Sequence, residues 1–298
     1  MKILLLGKNG QVGWELQRSL APLGELIALD ARSQDHCGDL CDLAGLAKTL
    51  RDVAPDVIVN AAAYTAVDKA EGEPELANAV NAQAVALLAQ AAKASGAWLV
   101  HYSTDYVFDG SGKLAWLETD VAKPLSVYGA SKLAGEQAII ASACQHLIFR
   151  TSWVYAAKGR NFATTMLQLA EQREHISVIN DQVGAPTGAD LLADVTAHAL
   201  RMARQDATLS GLYHLTAAGE TTWYAYAQFV IELARQAGVA IKVAPTAIKA
   251  VPSSDFPTPA QRPLNSRLNT SKLQQAFGLR LPPWQDGVKR LLAEMLAD

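Results

Sequence analysis

Cysteine, net charge and long apolar runs are all scarce in this sequence, and each shortage removes a class of protein. The only cysteines are Cys37, Cys41 and Cys144. An odd number without regular spacing does not make a disulfide framework, and isolated thiols suit a reducing compartment. Cys37 and Cys41 stand four apart, but no second ligand pair follows nearby to complete a zinc site. The 26 basic and 29 acidic residues leave a net charge of -3, with no basic run. A nucleic-acid binder needs a basic excess to neutralise phosphates. No stretch reaches the roughly 20 apolar residues that cross a bilayer, and the apolar start at 3–6 is too short for a signal-peptide core. The expectation is a cytoplasmic protein with neither nucleic acid nor membrane as a partner.

What is present is apolar patterning over a length that allows one large or two modest domains. Apolar runs at 3–6, 25–29, 57–60, 98–102 and 146–150 alternate with helical patterns at 13–20, 43–53, 77–94 and 126–144. Strands apolar on both faces, each followed by a helix, predict an α/β chain with a parallel sheet covered on both sides. The second half is less regular. It predicts helices at 162–173, 191–204 and 222–237, a strand at 211–215 and a short last helix after Trp284. Four prolines and two serines make 251–263 a loop.

The first predicted strand runs into Gly7-Lys8-Asn9-Gly10-Gln11-Val12-Gly13 and then a helix. Glycines there permit a tight turn and a close approach of backbone to pyrophosphate, and the helix N-terminus offers unpaired N–H groups. The same pattern without a ligand is a plain strand-to-helix turn, but this one sits where the binding mechanism requires it. The second strand leads to Asp30, either a solvated strand end or a carboxylate that accepts from the adenosine ribose and repels a 2′-phosphate. Asp30 favours NADH, while Arg32 leaves NADPH open. Asp39 and Leu40 follow as adenine contacts or as an ordinary turn.

Tyr128 and Lys132 stand four residues apart, on one face of a predicted helix. A phenol ionises near ~10. A nearby ammonium stabilises the phenolate and draws that value down. The alternative is an amphipathic tyrosine beside an exposed lysine. Upstream, His101-Tyr102-Ser103-Thr104-Asp105-Tyr106-Val107-Phe108-Asp109-Gly110 follows a predicted strand, and ligands bind at such strand ends. Thr104 can hydrogen-bond a substrate carbonyl or the Tyr128 hydroxyl. His101, His146 and His214 lie in or beside strands and read as structural; Trp223, Tyr224 and Tyr226 read as packing.

Taken in order, the glycine loop, the strand-end Ser103-Thr104 and the Tyr128–Lys132 helix resemble the extended short-chain dehydrogenase/reductase superfamily. The finer pattern is similar to the dTDP-4-dehydrorhamnose reductase family. It is carried by Asn60-Ala61-Ala62-Ala63-Tyr64-Thr65-Ala66-Val67-Asp68, by Ser103 through Gly110, and by Val127-Tyr128-Gly129-Ala130-Ser131-Lys132. Arg150-Thr151-Ser152-Trp153-Val154-Tyr155, Gln182-Val183-Gly184-Ala185-Pro186-Thr187 and Arg262-Pro263-Leu264-Asn265-Ser266-Arg267-Leu268 extend it over nearly the whole chain.

The resemblance implies a Rossmann-type doubly wound sheet in 1–150, which also receives later segments, and a smaller, mainly substrate-binding lobe in 151–298. It implies reduction of the C4 ketone of dTDP-4-dehydro-β-L-rhamnose, with hydride from NADH or NADPH. Tyr128 is then the proton donor, Lys132 the ribose anchor that tunes it, and Thr104 the partner of the reacting oxygen. Gly10, Gln11 and Val12 meet the pyrophosphate; Ala62, Ala63, Tyr64 and Thr65 line the cofactor; Thr104, Asp105 and Trp153 face the dTDP-sugar. From the residues alone Trp153 is equally a core tryptophan, and Arg262 serves either a diphosphate or a salt bridge between lobes. The resemblance also implies a homodimer and Mg2+. Glu15 and Asp190 are candidate oxygen ligands, although hydride transfer with a tyrosine acid needs no metal. The rivals are a sugar-nucleotide epimerase or dehydratase of the same fold, a non-catalytic subunit like the β subunit of methionine adenosyltransferase, and a nucleotide-binding sensor.

Overall fold

The computed structural model describes residues 1–296. Six strands form one parallel sheet, in the spatial order Gly211–His214, His146–Thr151, Trp98–Thr104, Val57–Asn60, Lys2–Leu6, Glu25–Leu29. Burial explains why the strands read as largely apolar runs. Ile3 and Leu5 face Leu16, Leu20, Leu192 and Leu200 on one side. Leu4 and Leu6 face Leu46, Leu50 and Leu88 on the other. Each such side chain, fully withdrawn from water, contributes about 1.5–3 kcal/mol. The sheet is thus doubly wound and Rossmann-type, as expected.

The helix Leu43–Val53 and the strands Glu25–Leu29 and Val57–Asn60 have the expected bounds. Asp42 caps that helix by accepting from the Gly45 N–H at 2.9 Å. Trp98–Thr104 and His146–Thr151 run beyond their expected ends, setting Thr104 beside Thr151 at the sheet's C-terminal edge. The single helix expected at 77–94 is broken into three: Pro74–Asn78, a π-helical turn at Ala79–Gln83, and Ala84–Ser95. The wider turn seats the buried Asn81, which accepts the Tyr64 N–H at 2.9 Å and donates to the Tyr64 carbonyl at 3.0 Å.

The chain beyond residue 150 returns to the sheet through Gly211–His214, and the helix Ala189–Ala203 packs on Gln11–Leu20. Elsewhere this half builds its own core from Phe162–Gln172, Trp223–Gln236 and Trp284–Met295. The expectation of loop throughout 251–263 is corrected. The segment begins with the end of a strand, Ile248–Val251, which pairs in parallel with Ile176–Ile179. Ser253–Asp255 is a short 3-10 turn. The helix Ser271–Phe277 was not anticipated. Among the described residues no helix is long and apolar enough to cross a membrane.

Candidate active site

The chain leaves Lys2–Leu6 to one side for Glu25–Leu29, then crosses to the other side for Val57–Asn60. Such a reversal opens a crevice at the strands' C-terminal ends. Here it is a cleft of about 600 Å³, lined by Gly7, Gly10, Gln11 and Val12, by Ala62, Ala63 and Thr65, and by Tyr128 and Lys132. A second cavity of about 220 Å³ shares Gly7, Gly10, Ala62 and Ala63 with it and adds Asp30, Asp39 and Leu40. The two together make a slot with a glycine-loop wall common to both.

The loop needs its glycines. Gly7 sits at φ +90, and a Cβ there would lie 2.7 Å from the Ala62 backbone nitrogen. Gly13 is buried rather than lining the slot; a Cβ on it would stand 2.0 Å from the Gly7 carbonyl oxygen. It closes the turn against the helix.

The helix Val127–Ser142 carries the tyrosine and lysine. Ser126 caps it by accepting from the Gly129 N–H at 3.2 Å, and Glu71 accepts the Val127 N–H at 2.9 Å. The Tyr128 ring meets Tyr106 edge-on, at 5.6 Å and 76°. Thr104 is buried within hydrogen-bonding reach of the phenol; its hydroxyl donates to Asp105 at 3.2 Å and accepts the Tyr106 N–H at 3.2 Å. The expected lowering of the phenol by the lysine is corrected. Burial pushes Tyr128 up to about 12, with Thr104 pulling down and Asp105 pushing up. The reason is where the lysine points: Nζ donates to the Tyr102 carbonyl at 2.6 Å and stands 3.1 Å from His101 Nε2. Burial brings Lys132 itself down to about 8, against the opposing carboxylate of Glu136. Burial likewise raises the Asp105 carboxyl to about 6.

Tyr64 and Trp153, two of the expected contacts, turn to partners outside both cavities. Tyr64 donates its hydroxyl to Glu73, turning the ring away from the slot. Trp153 has φ +49 and stacks on Trp223 at 3.6 Å and 13°. Thr104 and Asp105 are buried behind the cleft surface, where Ser103 is the lining residue. Arg262 forms the salt bridge between the two halves, donating to Asp68 at 2.8 and 3.2 Å. It also lines a third cavity of about 270 Å³ with Tyr106, Gln182 and Trp223.

Sequence reasoning missed Asn81, which clamps the Tyr64 backbone, and missed Ser103 and Thr151. The hydroxyls of these last two are buried without a hydrogen-bond partner among the described residues, and both residues line the large cleft. Unpartnered polar atoms beside a glycine loop fit a dinucleotide, which brings acceptors and donors of its own. Magnesium is a different matter. Glu15 and Asp190 do line one cavity, of about 290 Å³, but arginines stand among them: Arg18 is 3.5 Å from Glu15 and Arg290 3.5 Å from Asp190. Among the described residues no three His, Cys, Asp or Glu side chains gather to hold a metal ion. The residues of one chain therefore do not fit the ion.

The sequence pattern of the family described as RmlD substrate binding domain matches residues 1–297. A dTDP-4-dehydrorhamnose reductase of Escherichia coli strain K12 is 61% identical, over 99% of this chain and 98% of that one. Among solved structures, a dTDP-4-dehydrorhamnose reductase from Clostridium acetobutylicum superposes with a TM-score of 0.89 at 35% identity, covering 99% of both chains. One from Bacillus anthracis, solved in complex with NADP, has a TM-score of 0.86 at 32% identity, covering 98% of this chain and 99% of that one.

Proposed function

This chain belongs to the dTDP-4-dehydrorhamnose reductase family, and we propose that it reduces the C4 ketone of dTDP-4-dehydro-β-L-rhamnose to dTDP-β-L-rhamnose with Tyr128 as proton donor. The observation that carries the residue roles is the shared cleft: the glycine loop, Tyr128 and Lys132 line one cavity. When bound, the nicotinamide cofactor supplies a hydride to the ketone carbon. As that bond forms, the carbonyl π pair moves onto oxygen and takes the phenolic proton of Tyr128. A phenol held near 12 keeps its proton at neutral pH and yields it only to a stronger base, which a nascent alkoxide is. Thr104, within reach of the phenol, orients the reacting oxygen. Lys132 anchors the nicotinamide ribose. The N–H groups after Gly10 receive the pyrophosphate, and Asp30, Asp39 and Leu40 receive the adenosine.

The dTDP-sugar enters beside Tyr106. The cavity at Arg262 supports this, because Tyr106 touches Tyr128 and a guanidinium suits a diphosphate. Asp105 and Trp153 belong to the same substrate reading, with the division near residue 150 separating a cofactor lobe from a mainly substrate-binding one. A homodimer in the cytoplasm completes it, and sedimentation at the mass of one chain would count against the dimer.

The direct test is absorbance at the reduced-nicotinamide band, with NADH or NADPH and dTDP-4-dehydro-L-rhamnose made in situ. The expected result is a decay that requires both sugar and protein. No decay with either cofactor, from folded protein that binds them, overturns the reading. Asp30→Ala is expected to raise the NADPH-to-NADH preference by about tenfold, the worth of ~1.4 kcal/mol of repulsion from a 2′-phosphate. An unchanged ratio of kcat/KM values removes Asp30 from cofactor choice.

A further inference from the structure

Asn60, His101 and Lys132 form a line of side chains behind the large cleft. Asn60 ends one strand, His101 is its register partner on the next, and Lys132 comes from the helix above. All three are buried, His101 completely. His101 Nδ1 lies 3.2 Å from the amide nitrogen of Asn60, and Nε2 lies 3.1 Å from Lys132 Nζ. Asn60 Oδ1 meanwhile accepts the Ala62 N–H at 3.2 Å, which is what turns the amide nitrogen toward the ring.

A neutral imidazole has one N–H, so one ring nitrogen donates and the other accepts. If Asn60 donates to Nδ1, the ring proton is on Nε2 and points at Lys132, which must receive it as a free amine. An ammonium has no lone pair to offer. With Lys132 charged, the ring proton belongs on Nδ1, and Asn60 must turn its oxygen to the ring and release Ala62. The charge of the lysine is thereby coupled, through one ring, to the backbone that lines the cofactor cleft.

We propose that His101 is a positioning residue of the reduction: it holds Lys132 Nζ against the Tyr102 carbonyl and sets the direction of the hydrogen bond between ring and lysine. The proposal rests on the roles given above to Tyr128 and Lys132. Its surroundings suit the task. Burial, then the lysine's charge, hold His101 well below its ordinary range, so the ring stays neutral. The lysine, brought to about 8 by burial, changes charge within a working pH range. The other groups facing this region are Tyr128 and Glu136 one turn away on the same helix, Arg150 paired to Glu136 from the strand below, and Asp105 and Tyr106 on the turn after Trp98–Thr104. Glu71 faces the helix start and none of these hydrogen-bonds Nζ, whose partners among the described residues are His101 and Tyr102.

The test is His101→Gln. A glutamine amide can present its oxygen to the ammonium whatever Asn60 does, so the charged lysine no longer carries the cost of re-orienting the line. Two quantities are read against pH: kcat with NADPH and the 4-keto sugar nucleotide, and the Kd of NADPH by fluorescence. Both alkaline limbs are expected to move up by about one pH unit, the usual effect of an added acceptor on the charged form. A merely structural histidine would lower Tm and kcat at every pH and leave both limbs in place, and that result overturns the proposal. The binding limb does not depend on the proton donor, so failure of the Tyr128 assignment and failure of this proposal are distinguishable. Should His101→Gln not fold, Asn60→Asp keeps the ring and presents oxygens to both Ala62 N–H and Nδ1. The same upward movement is expected, and an unmoved limb overturns the proposal equally.

Discussion

Tyr128→Phe is expected to cut turnover by about 10²–10⁴-fold, the usual worth of a positioned acid. The ring keeps its edge contact with Tyr106, and Ser126 and Glu71 still cap the helix, so the fold has no reason to change. The lysine keeps its bonds to Tyr102 and His101, because neither involves the phenol. NADPH should therefore bind within about threefold of the parent, a difference below ~1 kcal/mol. What disappears is the proton that the reacting oxygen takes as hydride arrives. The loss belongs in kcat and kcat/KM together, because the interaction is made in the transition state and not with bound substrate. Near-normal turnover by the phenylalanine variant would remove Tyr128 as donor. A variant that also fails to bind NADPH would instead place the tyrosine in cofactor binding.

The parts of the molecule that local rules govern were legible in the sequence. The apolar runs at 25–29 and 57–60 became strands of those bounds because both faces of the sheet are covered and nothing polar interrupts them. The glycine loop and the Tyr128–Lys132 spacing could be read because each depends on a single turn of backbone. What escaped depends on partners far along the chain. Ile176–Ile179 and Ile248–Val251 are strands because they pair with each other across some seventy residues, and neither alone outweighs the prolines that follow the second. The π turn at Ala79–Gln83 answers to Asn81, whose partners are Tyr64 and Ser131, and an alanine-rich pattern carries no trace of it.

The site divides along the same line. Gly7, Gly10, Gln11, Val12, Ala62, Ala63, Thr65, Tyr128 and Lys132 converge on one cleft, and each lies in a motif recognisable by spacing. Tyr64 and Trp153 lie in such motifs too, yet Glu73 and Trp223 hold their side chains elsewhere. A motif fixes where a backbone runs; which way a side chain turns is settled by what packs against it. His101 is the sharpest case. As a strand histidine it reads as structural, and only the register that sets it beside Asn60, with the helix above, brings it to the lysine.

Glu136→Gln is expected to destabilise the protein by about 3–5 kcal/mol, the cost of leaving one member of a buried ion pair uncompensated. Glu136 accepts two bonds from Arg150, at 2.9 and 2.6 Å, and both residues are almost wholly buried. Arg150 has little else to turn to. Its NH1 group is buried without a hydrogen-bond partner among the described residues, and the Phe108 ring lies 5.0 Å from the guanidinium carbon. For a chain of this size the loss corresponds to a fall in Tm of roughly 5–8 °C. Replacing both members together, as Glu136→Met with Arg150→Met, is expected to recover most of it, because a buried pair exchanged for apolar packing is often neutral. A Tm for Glu136→Gln within a degree or so of the parent would mean that the pair contributes little. The same variant bears on the chemistry with a definite sign. Glu136 raises the lysine against the larger lowering by burial, so removing its charge favours the free amine, and the uncompensated Arg150 pushes in the same direction. The alkaline limb of kcat should therefore move to lower pH, opposite to the movement expected for His101→Gln. Limbs that moved the same way in both variants would show that the lysine's charge is not what the limb reports.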